Sequence, residues 1–336
     1  MTSRALIQDL IAQKPVPRCG FWLGNPHPDT LPIYYAYFGV QSLPALQQKL
    51  GDDLAWIHPS HNSYKHPEGK PIFDKKRRSN ALAAAGAFAD CEDVQEVEDF
   101  DWPDPCYLDF SETLELLRNR GDVYRASGFW CPFFHDVADF FGMENYFIKM
   151  HTHPQVVHAV TRKVVDFYLQ GNRRFYAQAG DLVDAFFFGN DFGSQLGLLI
   201  SPQQFDAFVF PYFKELADQA HAHGYQVMLH SCGSVFSVIP RIIELGAEAL
   251  HPLQAKAKHM EAENLAAHFK GKIAFIGGID TQDLLIHAAP QQIRDEVFRL
   301  RDILGPSWIV SPSHEAVLPN VPPQNIAAMA EAAHAT

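Results

Sequence analysis

From residue 184 to the C-terminus, short apolar runs alternate with longer stretches of helical periodicity, and this alternation limits the fold of the 336-residue chain more than any other feature. DAFFF (184–188) reads as a strand, and Ser201 and Pro202 open a helix that Gly224 closes. YQVMLH (225–230), EALHPL (248–253), KIAFIG (272–277) and SWIVS (307–311) read as further strands, each followed by a helical pattern. Four such units in about 110 residues give about 28 residues per unit, the size of a βα repeat with right-handed crossovers. No G-x-G-x-x-G follows a strand, which disfavours a dinucleotide fold. Upstream, DLAWIH (53–58) and DVYRASG (122–128) are strand candidates, and RCGFWLG (18–24) is a weaker one. Seven or eight strands alternating with helices predict an α/β fold, a single-domain (β/α)8 TIM barrel. Residues 1–50 are expected as an N-terminal extension and 51–336 as the barrel, with the acidic, proline-broken segment 89–109 as a surface excursion.

Composition narrows the function. Apolar residues make up 47% of the chain, enough for a large core, and the net charge of −12 argues against a nucleic-acid or anionic-membrane partner. The five cysteines are scattered with no C-x-x-C pair, which argues against a disulfide scaffold or zinc ribbon. No apolar run approaches the ~20 residues of a membrane span, and the start shows no signal-peptide core. The expected location is the cytoplasm. Histidine, at 17 residues, is over-represented, and its placement is informative.

A barrel gathers its chemistry just past the C-terminal ends of its strands. His58, His61 and His66 follow the strand at 53–57, and Asn190, Asp191 and Gln195 follow 184–188. His230 and Cys232 end the next strand, His251 and Gln254 the one after, and Asp280, His314 and Glu315 follow the last two. Residues i and i+2 at a strand end point the same way, so His230 and Cys232 could converge on one cation. Zinc takes this N/S mixture and needs a third ligand in a catalytic site, for which His314 is best placed by pattern. A structural histidine beside a small buried cysteine would give the same letters. The His58, His61 and His66 loop could bind an anion or a second metal, or be simply solvated. Asn190 and Asp191 could cap a helix or contact substrate. The aromatic stretch 129–147 reads mostly as core, with Trp130 or Phe133 able to line a pocket for a flat ring. Asp218-x-x-His221-x-x-Gly224 departs by one residue from the corrinoid-binding D-x-H-x-x-G spacing.

DFGSQLGLLISPQQF, HSCGSV, GGIDTQDLL and SPSHEAVLPNVPPQNI together resemble the uroporphyrinogen decarboxylase superfamily, from about residue 120 to the end. The likeness extends more loosely to the start through RCGFWLGNPHPDT and DWPDP, and it implies a (β/α)8 barrel. Two branches are in view. True decarboxylases carry an arginine-rich M-R-Q-A-G-R-Y segment and an Asp after the first strand, where this chain has FWLGNPHPDT and HPSHNSY. A substrate with many carboxylates needs several bidentate cations, and none stands there. His314 does look similar to a histidine that the decarboxylases use.

The second branch comprises zinc-dependent methyltransferases that act with corrinoid proteins, marked by H-x-C and a later cysteine. His230 and Cys232 match the first part, and His314 stands in the later position. One thiolate with two imidazoles would leave zinc at +1, a stronger Lewis acid than a two-thiolate site and suited to an oxygen or nitrogen leaving group. The resemblance therefore implies a zinc-dependent methyltransferase moving a methyl group between a small methoxy, methylamine-like or thiol substrate and a separate corrinoid protein. His230, Cys232 and His314 would hold zinc. Asp191 and Glu315 would be catalytic, and Trp22, Asn25, His58, His61, Phe133, Asn190, Gln195 and Asp280 would bind substrate. A metal-independent decarboxylase is the alternative, and a homodimer is left open.

Overall fold

The computed structural model describes every residue except Arg78, Glu315 and Thr336, and the backbone alone of His61. Eight parallel strands form one nearly closed sheet: β1 (Gly20–Phe21), β2 (Leu54–Trp56), β3 (Tyr124–Ser127), β4 (Ala185–Gly189), β5 (Gln226–His230), β6 (Ala249–Leu253), β7 (Ala274–Ile279) and β8 (Trp308–Pro312). From β2 through β8 each strand pairs with the next in sequence, and β1 pairs with β8. The Asp53 N–H donates to the Phe21 carbonyl at 2.9 Å, bringing the start of β2 beside β1. The chain is thus a single-domain (β/α)8 TIM barrel.

The strands from β2 onward lie within the predicted runs or extend them by a residue or two, because buried parallel strands read as continuous apolar segments. The long helix expected after Pro202 is divided into Pro202–Phe208 and Phe210–Ala222. Pro211 offers no N–H to the turn before it and sits in the first turn of the second helix.

The start of the barrel needs correction. Its first strand lies at Gly20–Phe21, inside the segment expected as an extension, and was faint because it is only two residues long. The helix Ser3–Ile11 buries Leu6, Ile7, Leu10 and Ile11. Ile7, Leu10 and Ile11 pack with Leu54, Tyr124, Ala185, Met228, Ala274 and Ile309 in the core inside the barrel, so this helix plugs the barrel's lower end. Asp53 fixes the plug: it accepts from Ser3 Oγ (2.6 Å), from the Arg18 guanidinium (2.7 and 2.8 Å) and from the Phe21 N–H (3.0 Å). A fully buried carboxylate is tolerable with that many partners. No described helix is long and apolar enough to cross a membrane.

Candidate active site at the barrel mouth

The loops that follow β4 and β5 approach unusually closely. A Cβ on Gly189 would collide with the His230 carbonyl, and one on Gly233, whose φ is +83°, would collide with the Gly193 backbone. Glycine is therefore required at both positions. The Ser234 N–H donates to the Ser194 carbonyl (2.8 Å) and the Phe192 N–H to Ser231 Oγ (3.1 Å), locking the loops together.

This packing brings Asp191 over the end of β5. Its Oδ1 accepts from the Cys232 N–H at 2.9 Å and lies 3.2 Å from His230 Nε2. Cys232 Sγ lies 3.4 Å from the same nitrogen. The ligand atoms of Asp191, His230 and Cys232 all fall within 4.8 Å of one another, the three forming a group able to hold a metal ion. His230 is buried, while Asp191 and Cys232 are half-buried and open toward the mouth. Burial alone would raise the Asp191 pKa. The His230 hydrogen bond and charge and the Cys232 N–H outweigh it and hold the carboxyl well below the usual range.

Behind His230 stands His251, whose Nδ1 is 2.8 Å from His230 Nδ1. His251 is 1% exposed, and burial first, then the charges of His230 and His314, push its pKa far below that of a free imidazole. On the other side, the Asp191 N–H donates to His135 Nε2 (3.1 Å), and burial lowers the His135 pKa.

Beside His230 and His251 lies a cavity of about 350 Å³ lined by these two rings and by Trp22, Trp56, Trp130 and Phe187, together with Asn25, Pro26, His27, Pro28 and Ala316. Trp130 meets the His230 ring edge-on at 4.9 Å and Trp22 lies 5.1 Å from His251. Two buried nitrogens on this wall, His251 Nε2 and Trp56 Nε1, have no hydrogen-bond partner among the described residues.

The structure distributes the expected site residues unevenly. Trp22 and Asn25 reach the cavity, and His58 stacks on Trp56 at 4.6 Å without lining it. Asn190 is engaged by backbone groups. It is 2% exposed, its Oδ1 accepts from the Phe134 and His135 N–H groups (2.9 and 3.3 Å), and its Nδ2 donates to the Cys131 carbonyl (3.1 Å). It clamps the loop that carries Trp130. Phe133 is core, packed edge-on against Phe213 at 4.9 Å, because its helix turns that face away from the barrel axis. Gln195 is exposed on its loop. Asp280 accepts from the N–H groups of Gln282, Asp283 and Leu284 and pairs with Lys256 at 3.0 Å, so its carboxylate is occupied by the turn after β7.

His314 does not join the metal-competent group. It lines an adjacent cavity of about 480 Å³ with Gln254, Thr281 and Ser313, and its Nδ1 accepts from the Ala316 N–H. The residue that joins His230 and Cys232 in that group is Asp191, expected as a catalytic group. The His61 side chain and Glu315 lie outside the described residues. His251, His135 and Trp56 were assigned no role from sequence. Trp56 and His251 carry the strand-end signal that marked His230, whereas His135 sits on a helix and carries none.

A (β/α)8 barrel with a donor cluster at the C-terminal ends of its strands defines an enzyme-like architecture. Residues 87–336 match the family described as Uroporphyrinogen decarboxylase (URO-D), and the chain belongs to that family. No curated protein matches the sequence. Among solved structures, a methyltransferase from Methanosarcina mazei is similar in fold, with a TM-score of 0.68 and 15% identity over 99% of this chain and 98% of that one.

Proposed function

We propose that this chain is a zinc-dependent methyltransferase, acting in the cytoplasm, that moves a methyl group between a small substrate in the tryptophan-lined cavity and the cobalt of a separate corrinoid protein. The observation that carries this reading is the convergence of Asp191, His230 and Cys232 on one point at the barrel mouth. Tetrahedral zinc with bonds of about 2.0–2.3 Å sets neighbouring donors about 3.3–3.7 Å apart, and the 3.2 and 3.4 Å separations here are close to that spacing. The donor set fits zinc.

Imidazole, thiolate and carboxylate would leave the site formally neutral, not at the +1 expected with His314. A carboxylate donates less charge than a second thiolate, so the bound ion would still act as a Lewis acid toward a substrate heteroatom. The chain's own residues do the rest. The Cys232 N–H orients Asp191, His251 orients His230, and the Asn190 clamp holds Trp130 over the cavity. The indole walls exclude water from a reactive methyl group.

Among the described residues no Lys or Arg lines the cavity, which disfavours a polycarboxylate substrate and with it the decarboxylase alternative. Elemental analysis of the purified protein tests the reading. About one zinc per chain is expected, and a metal-free protein that takes up no added zinc would sink it.

A further inference from the structure

The His230–His251 contact has a consequence for what the cavity can bind. Above the ordinary imidazole range, where both rings are neutral, two imidazoles whose Nδ1 atoms face each other at 2.8 Å hold one hydrogen between them, so one ring donates and the other accepts. Without a cation, His230 Nε2–H donates to the Asp191 carboxylate, so His230 Nδ1 must accept from His251 Nδ1–H. His251 Nε2 is then bare. A cation on His230 Nε2 requires the opposite tautomer. His230 Nδ1–H now donates to His251 Nδ1, and the His251 hydrogen moves to Nε2. Neither ring changes charge: His230 Nε2 gives its proton to solvent, His251 Nε2 takes one up, and the only net proton released is that of the Cys232 thiol as it becomes a ligand.

We infer that the His230–His251 pair is a tautomer relay that turns His251 Nε2 into a hydrogen-bond donor when the cation site fills, and so selects a flat, uncharged ligand with an acceptor oxygen on its methylated group. This inference rests on the zinc-dependent reading above. His251 lines the cavity, and its Nε2 is buried without a hydrogen-bond partner among the described residues, as is the donor-only Trp56 Nε1. A methylated ammonium would find aromatic faces here but offers no acceptor to two N–H groups, and it would sit beside a bound cation. A methyl ether oxygen satisfies the donor while its ring lies against the indoles. By linkage, cation and acceptor ligand must each tighten the other's binding.

The test uses intact protein with ¹⁵N-labelled histidine at pH 8.5, above the ordinary imidazole range, with His251 assigned by comparison with His251→Gln. Zinc binding is followed in parallel by calorimetry. On addition of one equivalent of zinc, the His251 Nε2 resonance should change from the bare to the N–H type and Nδ1 the reverse. Zinc binding with unchanged His251 resonances overturns the relay and leaves the proposed function standing, whereas absence of zinc binding overturns both. Anisole and tetramethylammonium then serve as probes. Zinc should tighten anisole by about fivefold or more and leave tetramethylammonium unimproved. His251→Phe should still bind anisole but lose the zinc effect. Tightening of tetramethylammonium instead, or a zinc effect that survives in His251→Phe, overturns the ligand class.

Discussion

The rim of the barrel has two differently built halves. At the ends of β4, β5 and β6, Asp191, His230 and Cys232 direct donor atoms toward one another, and His251 backs His230, with the two histidines lining an aromatic cavity. At the ends of β7 and β8, Asp280 and His314 occupy equivalent topological positions, but the Asp280 carboxylate and His314 Nδ1 accept from the N–H groups of the following turns. A polar residue beyond a barrel strand is thus a necessary sign of a site and not a sufficient one. What separates the halves is whether the local backbone already uses the side chain. Asp191 Oδ1 takes one backbone N–H and still faces His230, while Asp280 takes three and a lysine besides.

The largest effect that could break this contrast is in metal binding. His230→Ala, Cys232→Ala or Asp191→Ala should each lower zinc content from about one per chain to near zero, since three protein donors are the minimum for a catalytic site. His314→Ala should retain it. Equal loss in His314→Ala, measured by elemental analysis, would show that the two halves act as one. Next comes Asn190→Ala. It removes three hydrogen bonds, two of them buried, and should destabilise the fold by about 2–4 kcal/mol in denaturant unfolding. The Trp130 fluorescence environment should change with it, because the clamp to the Cys131 carbonyl is gone.

The barrel was legible because its buried parallel strands write themselves as apolar runs at a regular interval. β1 was faint because a two-residue strand leaves almost no pattern, and its identity depends on pairing with β8 at the far end of the chain. His230 and Cys232 were legible as a pair because i and i+2 at a strand end share a face. Their third partner was not. Choosing Asp191 over His314 requires knowing that the β4 and β5 loops interlock through Gly193 and Gly233, a contact between segments about forty residues apart. Asn190 and Phe133 show the same limit: polarity and aromaticity are visible in sequence, but the direction of a side chain at a loop-to-helix junction is not.

Smaller effects sharpen the contrast from the β7 side. Asp280→Asn keeps one acceptor oxygen but loses the charge that holds Lys256 and the turn's N–H groups, so a stability loss of about 1 kcal/mol is expected, with zinc content unchanged. The pH dependence carries its sign. Burial alone would raise the Asp280 pKa, yet the Leu284 and Gln282 N–H groups and Lys256 lower it below the ordinary value. A carboxylate with a depressed folded pKa stabilises fully above its unfolded pKa, about 4. That contribution disappears as pH falls through the folded value. Wild type and Asp280→Asn should therefore differ most at neutral pH and converge in acid, as unfolding curves from about pH 7 to 3 will show. A gap that widens in acid would mean that Asp280 is held protonated, and thus that the turn's N–H groups and Lys256 do not stabilise its charge. Gln195→Ala, on an exposed loop with no side-chain bond described, sets the baseline at within about 0.5 kcal/mol. Against that baseline the Asp280 turn can be read as scaffold and the Asp191 turn as site, although both are carboxylates one or two residues past a barrel strand.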